Sequence, residues 1–205
     1  MSEETKHNFP FFPLNLIVMP GEIQPLHIFE PRYKQLIHDI QTSGEHFGIP
    51  FMLNNKICKL GSCVKLYKIL SETSTGEMDI LVKGVSIISI ESMEDTLGEK
   101  LYSGGSVKIL KELNKTPSTE LSNEFKNYQA QLAKINKIED NSEKTNESLN
   151  VLDIAGQLPL EIEEKFNFLI LNCPIKRETF LLNKIKFLHM INQKLEQLGY
   201  RFFLN

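Results

Sequence analysis

The sequence predicts an α+β protein: a small, strongly bent, barrel-like sheet with one early helix, followed by a C-terminal helical bundle. Three observations carry that expectation. Six of nine prolines lie in residues 1–50, and nine of eleven glycines precede residue 106, so chain breakers crowd the first half. Short extended apolar runs fill that half. Spacings of three and four between apolar residues fill the rest. Strands first and helices after is the order of an α+β chain, whereas a parallel α/β sheet needs the two to alternate. Thr116-Pro117, a cap residue before a proline, sets the boundary, giving a β-domain over 9–115 and a helical bundle over 116–205.

The segment 9–40, FPFFPLNLIVMPGEIQPLHIFEPRYKQLIHDI, holds the most constraints. The apolar run Phe11–Met19 reads as a strand interrupted by Pro13 and ended by Pro20-Gly21, a pair that fixes one φ and then permits a positive one. Ile23–Ile28 is a second extended run with Leu26 and Ile28 on one face and His27 on the other. Glu30-Pro31 opens a helix, because proline at the first helical position lacks only an N–H that has no partner there. Tyr33, Leu36, Ile37 and Ile40 make its buried stripe, and Thr42-Ser43-Gly44 stops it.

Phe47, Ile49, Phe51 and Leu53 then alternate as a strand, Pro50 points to an edge, and Asn54-Asn55 marks a turn. Val64–Leu70 is the next strand, with Val64 and Leu66 on one face and Cys63, Lys65 and Tyr67 on the other, closed by the loop Ser71–Glu77. Met78–Ile90 is apolar on both faces, as a strand crossing the middle of the sheet would be, and Gly84 inside it marks a bulge or bend. A charged connection Glu91–Lys100 leads to a strand Leu101–Leu110 kinked at Gly104-Gly105. In the second half Leu121, Phe125, Tyr128, Leu132, Ile135 and Ile138 line one long helix, and Glu139–Ser148 is an exposed loop without an apolar residue. Leu149–Leu158 and Glu161–Leu171 are shorter helices. Pro174 opens the last one, with the stripe Phe180, Leu181, Ile185, Leu188, Ile191, Leu195 and Leu198 and a stop at Gly199.

A family resemblance rests on these same residues. Phe11-Phe12-Pro13-Leu14, the turn Pro20-Gly21 and the nine residues Pro25, Leu26, His27, Ile28, Phe29, Glu30, Pro31, Arg32 and Tyr33 resemble the opening of the Lon-protease N-terminal, substrate-binding domain, in its stand-alone bacterial form. Asp79–Val85 and Leu158-Pro159-Leu160 match less sharply. The resemblance implies a PUA-like β-domain that recognises unfolded or exposed-hydrophobic polypeptides, with a separate protease or ATPase as a possible further partner. Full-length Lon proteases add an ATPase module and a Ser/Lys proteolytic module, and neither fits in the remaining chain. The implied role is therefore non-enzymatic recognition, in the manner of an adaptor or accessory to proteolysis.

Composition narrows the alternatives. A net charge of −3 with pI near 6.0 gives no general attraction to nucleic acid or anionic membrane. Three cysteines do not make a disulfide framework, which favours a reducing compartment. The opening MSEETKHN has no apolar h-region, and no apolar run approaches the ~18 residues of a membrane span. These features place the protein in the cytoplasm, without membrane association.

Chemistry-bearing motifs are missing: there is no G-x-x-x-x-G-K-[ST], no G-x-S-x-G and no H-E-x-x-H, and no nucleophile stands beside an evident base. His27 and Glu30 are three apart but straddle a strand end and a helix cap, and Cys58, Cys63 and Cys173 lack the paired spacing of a zinc site, so neither metal nor cofactor is expected. Lys56, Lys59, Lys65 and Lys68 with Tyr67 are the best RNA-binding candidates, an alternative function that the overall acidity disfavours; a solvated strand face is the plainer reading. The last helix is rich in Lys and Arg (Lys176, Arg177, Lys184, Lys186, Lys194, Arg201), read as a solvated face. The polypeptide-binding residues expected are Phe11, Phe12 and Leu14, on a proline-broken sheet edge that leaves rings accessible, with Arg32 and Tyr33 as groove contacts. Core packing is the competing use of those rings.

Overall fold

Residues 5–136 and 149–197 are described by the structure, a computed structural model. The chain divides into two compact units, Met1–Glu112 and Leu113–Asn205. The first contains β1 (Thr5–Pro10), β2 (Ile23–Ile28), α1 (Pro31–Ser43), β3 (His46–Leu53), β4 (Lys56–Glu72), β5 (Met78–Glu94) and β6 (Gly104–Ile109). The second contains α2 (Thr119–Asn136), α3 (Val151–Gly156), α4 (Ile162–Ile170) and α5 (Pro174–Gln197).

All strand pairs are antiparallel, in the order β1-β6-β5-β4-β3, with β2 added on β5. Long strands connected by tight turns produce this. Asn54 and Asn55 take φ of 50° and 60° between β3 and β4, the positive pair a two-residue hairpin needs. β4 and β5 are each 17 residues long, far beyond the expected spans, and three register shifts break their ladder. Each shift inserts a residue and bends the strand, so two long strands can curl instead of lying flat. The sheet then meets itself: Phe11 and Leu14, just past β1, form parallel bridges to Gly48 and Phe51 of β3.

That closure corrects the reading of Phe11–Met19 as a strand. Pro10 and Pro13 cannot donate to a ladder, and the segment makes single bonds instead: Phe11 N–H to Ser103 O (2.8 Å), Phe12 N–H to Gly48 O (2.8 Å), Leu14 N–H to Pro50 O (3.2 Å) and Val18 N–H to the buried Ser62 hydroxyl (2.9 Å). The first strand lies earlier, in the polar stretch Thr5–Pro10, where backbone pairing to β6 needs no apolar pattern. The following turn is as expected, with Gly21 at φ 82° and Glu22 N–H donating to Met19 O.

In α1 the buried residues are Tyr33, Leu36, Ile37 and Ile40, the stripe read from spacing, and Gly44 ends the helix at φ 69° with its N–H on Ile40 O. This stripe packs in a core with Phe12, Phe47, Ile49, Val64, Ile80 and Val82, while Phe9, Phe11, Cys63, Ile88, Ile90 and Val107 form a second cluster. Gly84 is where β5 passes under the Met19 backbone: a Cβ there would lie 2.0 Å from Met19 O. Its ladder is also bulged, Cys63 facing Ser86 and Val64 facing Gly84, which leaves Val85 as the extra residue.

In the second unit, α3 and α4 each begin with a capping box, Asn150 with Asp153 and Glu161 with Glu164. Leu121, Phe125 and Tyr128 are buried along α2, as are Leu181 and Ile185 along α5. Arg177, expected on a solvated face, is buried, and Lys184 is mostly buried with its ammonium 2.7 Å from both Glu164 carboxylate oxygens. The expected loop Glu139–Ser148, Ile138, and Leu198 with Gly199 lie outside the described residues.

Candidate functional site

The rings expected on an accessible edge are not accessible. Phe11 is fully buried over Gly48, Phe12 is buried and stacked on Tyr33 at 3.9 Å between centroids, and Leu14 is half-buried in the same core. The cause is the closure described above, which uses the backbone donors of this segment against β3 and Ser103. Tyr33 is core as well, and burial pushes its hydroxyl pKa up. Of the five, only Arg32 is exposed; it lies 4.8 Å from the Tyr33 ring and donates to Glu30 Oε2.

Accessible apolar surface lies elsewhere on the barrel, on the outer face of β2, β5 and β4. Register places side chains on this face in three rows: Ile23–Lys83–Lys65, Pro25–Leu81–Lys68 and His27–Asp79–Ser71. The alternation that buries Ile28 against the core turns Ile23, Pro25 and His27 outward. Two bulges in β4, between Leu66 and Lys68 and between Ile69 and Ser71, insert Tyr67 and Leu70 as extra residues, and both are about half exposed, at 53% and 52%. Phe29, at 58%, follows β2 with its ring stacked 6.0 Å from His27. Ile23 and Val85 complete an outward set of large apolar side chains on a surface where single ones are ordinary and a group is not.

The third row is a polar anchor. His27 Nδ1–H donates to Asp79 Oδ1 (2.8 Å) and the Ser71 hydroxyl donates to Asp79 Oδ2 (2.7 Å); these two bonds hold the Asp79 carboxyl below its usual range, the serine bond first. Serine, histidine and aspartate meet here, but with the carboxylate in the middle. The serine hydroxyl donates to the carboxylate and not to the imidazole, so this is not the order of a nucleophilic triad. His27 and Glu30 do not converge on a common point, since Glu30 pairs with Arg32. Among the described residues no cluster of His, Cys, Asp or Glu could hold a metal ion, and the three cysteines are free.

Of the motif residues, Pro20 and Gly21 form the turn before β2, Pro25 and His27 lie exposed along it, Phe29 is exposed just past its end, and Glu30, Pro31, Arg32 and Tyr33 start α1. Residues of this face that the sequence reading did not name as polypeptide contacts are Ile23, Phe29, Leu70 and Leu81, together with Tyr67, which it named only beside the lysines. Period-two alternation flags Ile23 and Tyr67, but the bulges put it out of phase from Lys68 to Leu70. Lys56, Lys59, Lys65 and Lys68 are all exposed. Of these only Lys65 and Lys68 lie on the face with Leu81.

Comparison with known proteins accords with this architecture. In solved structures the fold is similar to the Lon N-terminal domain protein from Xanthomonas campestris (18% identity, TM-score 0.58, covering 88% of this chain and 98% of that one). It is also similar to the N-terminal domain of the Mycobacterium avium complex Lon protease (16% identity, TM-score 0.60, covering 89% and 98%). No curated protein matches the sequence. The family model of the ATP-dependent protease La (LON) substrate-binding domain matches residues 8–183, and the chain belongs to that family.

Proposed function

We propose that the protein is a non-enzymatic, cytoplasmic recognition domain that binds exposed-hydrophobic segments of unfolded polypeptides on the outer face of β2, β5 and β4, as an adaptor or accessory to proteolysis. Family membership supports the substrate-binding role. The observation that carries the location is the grouping of Ile23, Phe29, Tyr67, Leu70 and Val85 in the open while every ring of the Phe9–Phe12 segment is in the core. Burying one such side chain against a bound polypeptide returns about 1.5–3 kcal/mol, enough for one residue to be felt in affinity. No helix among the described residues is long and apolar enough to cross a membrane.

The test is binding of fluorescently labelled unfolded casein, measured by anisotropy, to the full chain and to the double variant Phe29→Ser, Leu70→Ser. Saturable binding weakened about tenfold or more in the variant is expected, since about 1.4 kcal/mol is a factor of ten. Binding of equal strength by the variant places the site elsewhere. No saturable binding by the parent chain ends the reading.

A further inference from the structure

β2 is attached to the sheet along one side only. It pairs with β5, and among the described residues no backbone group of Ile23–Ile28 bonds anything on the other side. Which groups point to that free side follows from the ladder. Gly84 N–H donates to Glu22 O (2.9 Å), so Glu22, Gln24, Leu26 and Ile28 take the hydrogen-bonded positions against β5. Ile23, Pro25 and His27 therefore direct their backbone outward, and Pro25 confirms the parity, because a residue without an N–H fits only where β5 needs no donor. The free edge offers the N–H and C=O of Ile23 and His27 and the C=O of Pro25. This is the hydrogen-bonding pattern that an incoming extended strand satisfies.

Charge selects among such strands. Lys83 and Lys65 share the row of Ile23, and Lys68 shares that of Pro25. Among the described residues none of these three lysines is in an ion pair. The one carboxylate on the three rows, Asp79, already accepts from both Ser71 and His27. The face is thus basic within a chain of net charge −3. A strand added on β2 lies about 10 Å from β5, two strand spacings, which a lysine and a glutamate side chain span together.

We propose that β2 takes up an extended polypeptide segment as an additional strand, with preference for one carrying an acidic residue beside Ile23 and Lys83 and an apolar residue beside Pro25 and Leu81. The inference rests on the polypeptide-binding reading above and adds to it the mode of binding and the class of segment. Backbone pairing explains how diverse sequences are accepted, and the lysines and apolar residues explain why some are preferred.

The probe is a fluorescein-labelled nonapeptide with glutamate, valine and leucine at alternate positions, measured by anisotropy against the full chain alongside unfolded casein. Its lysine-for-glutamate counterpart should bind at least about tenfold more weakly, and a version N-methylated at two adjacent central residues, which blocks both strand edges, should lose binding altogether. Ile23→Pro removes an edge donor that β5 does not use and should weaken the parent peptide about tenfold with an unchanged thermal midpoint. In the double variant Lys65→Glu, Lys83→Glu the charge preference should reverse. Equal binding of the N-methylated peptide overturns strand addition, and equal binding of the two charge forms overturns the acidic preference. Casein binding without peptide binding overturns the inference alone, whereas absence of both overturns the parent reading too. Preferential, steeply salt-dependent capture of single-stranded RNA by the parent chain, lost in the lysine variant, would assign the face to nucleic acid instead.

Discussion

Phe12 and Phe29 carry the same ring into opposite surroundings, and the difference sets what each substitution should do. Phe12 is buried against Tyr33, so Phe12→Ala should cost about 3–5 kcal/mol of stability. Phe29 is mostly in water, so Phe29→Ala should move stability by no more than about 0.5 kcal/mol; chemical denaturation of the two variants separates them. Gly84 is constrained by the opposite problem, an excess of atoms: with a methyl group 2.0 Å from Met19 O, Gly84→Ala must displace backbone, and a loss of about 2 kcal/mol or more is expected in the same measurement. Glu164 provides a pH readout in the second unit. Burial pushes its carboxyl pKa up, but the Lys184 ammonium and the Glu161 N–H outweigh that and leave it below the ordinary glutamate range. A depressed folded-state pKa contributes stability that is complete above the ordinary range and lost as pH falls through the lower, folded value. With a third of the Glu164 side chain exposed, the contribution is discounted for screening to about 1 kcal/mol. Lys184→Met should remove most of it at neutral pH, leaving the Glu161 N–H bond, and flatten the acid limb of a stability-against-pH curve. An unchanged limb would locate the titration in other carboxylates.

Elements differ in how far their residues announced them. α1 was legible to the residue because proline, a 3.6-residue stripe and a glycine stop all act locally, and Gly44 at φ 69° is where only glycine sits without strain. Both faces of β2 were legible for the same local reason, through alternation. β1 was not, since Thr5–Pro10 is held by backbone bonds to a strand about a hundred residues away and has no apolar period to read. The extra lengths of β4 and β5 lie at their ends, mainly Lys56–Cys63 and Glu91–Glu94, stretches held by backbone pairing to β3 and β6 with no clean apolar period to read, while inside the expected Val64–Leu70 a period of two loses phase at the residue inserted before Lys68. The Phe11–Leu14 edge failed for a related reason. Two prolines correctly excluded a regular ladder, but whether such a segment ends a sheet or closes it depends on where β3 arrives, which no local residue encodes. The candidate face was therefore only partly visible, its β2 part from the motif Pro25–Tyr33 and its β4 part only as Lys65, Tyr67 and Lys68, read as a solvated or RNA-binding face, with Leu70 hidden by the change of phase.

At the scale of the whole molecule, the first unit carries everything that the binding reading requires. Its sheet, α1 and both apolar clusters are assembled from residues before Glu112, and the face formed by Ile23, Phe29, Tyr67, Leu70 and Leu81 needs no residue beyond it. A domain of about 110 residues buries enough of its unfolded surface to fold without disulfide or metal. The fragment 1–112 is therefore expected to unfold in one cooperative transition, and to bind unfolded casein within about threefold of the full chain's affinity. Thermal unfolding by circular dichroism and the anisotropy assay measure the two separately. A cooperatively folded fragment that fails to bind would show that Leu113–Asn205 contributes contacts of its own, because the face on β2, β5 and β4 would still be present. A fragment that does not fold would tie the stability of the sheet to the helices and leave the face to be tested by the Phe29→Ser, Leu70→Ser variant in the full chain.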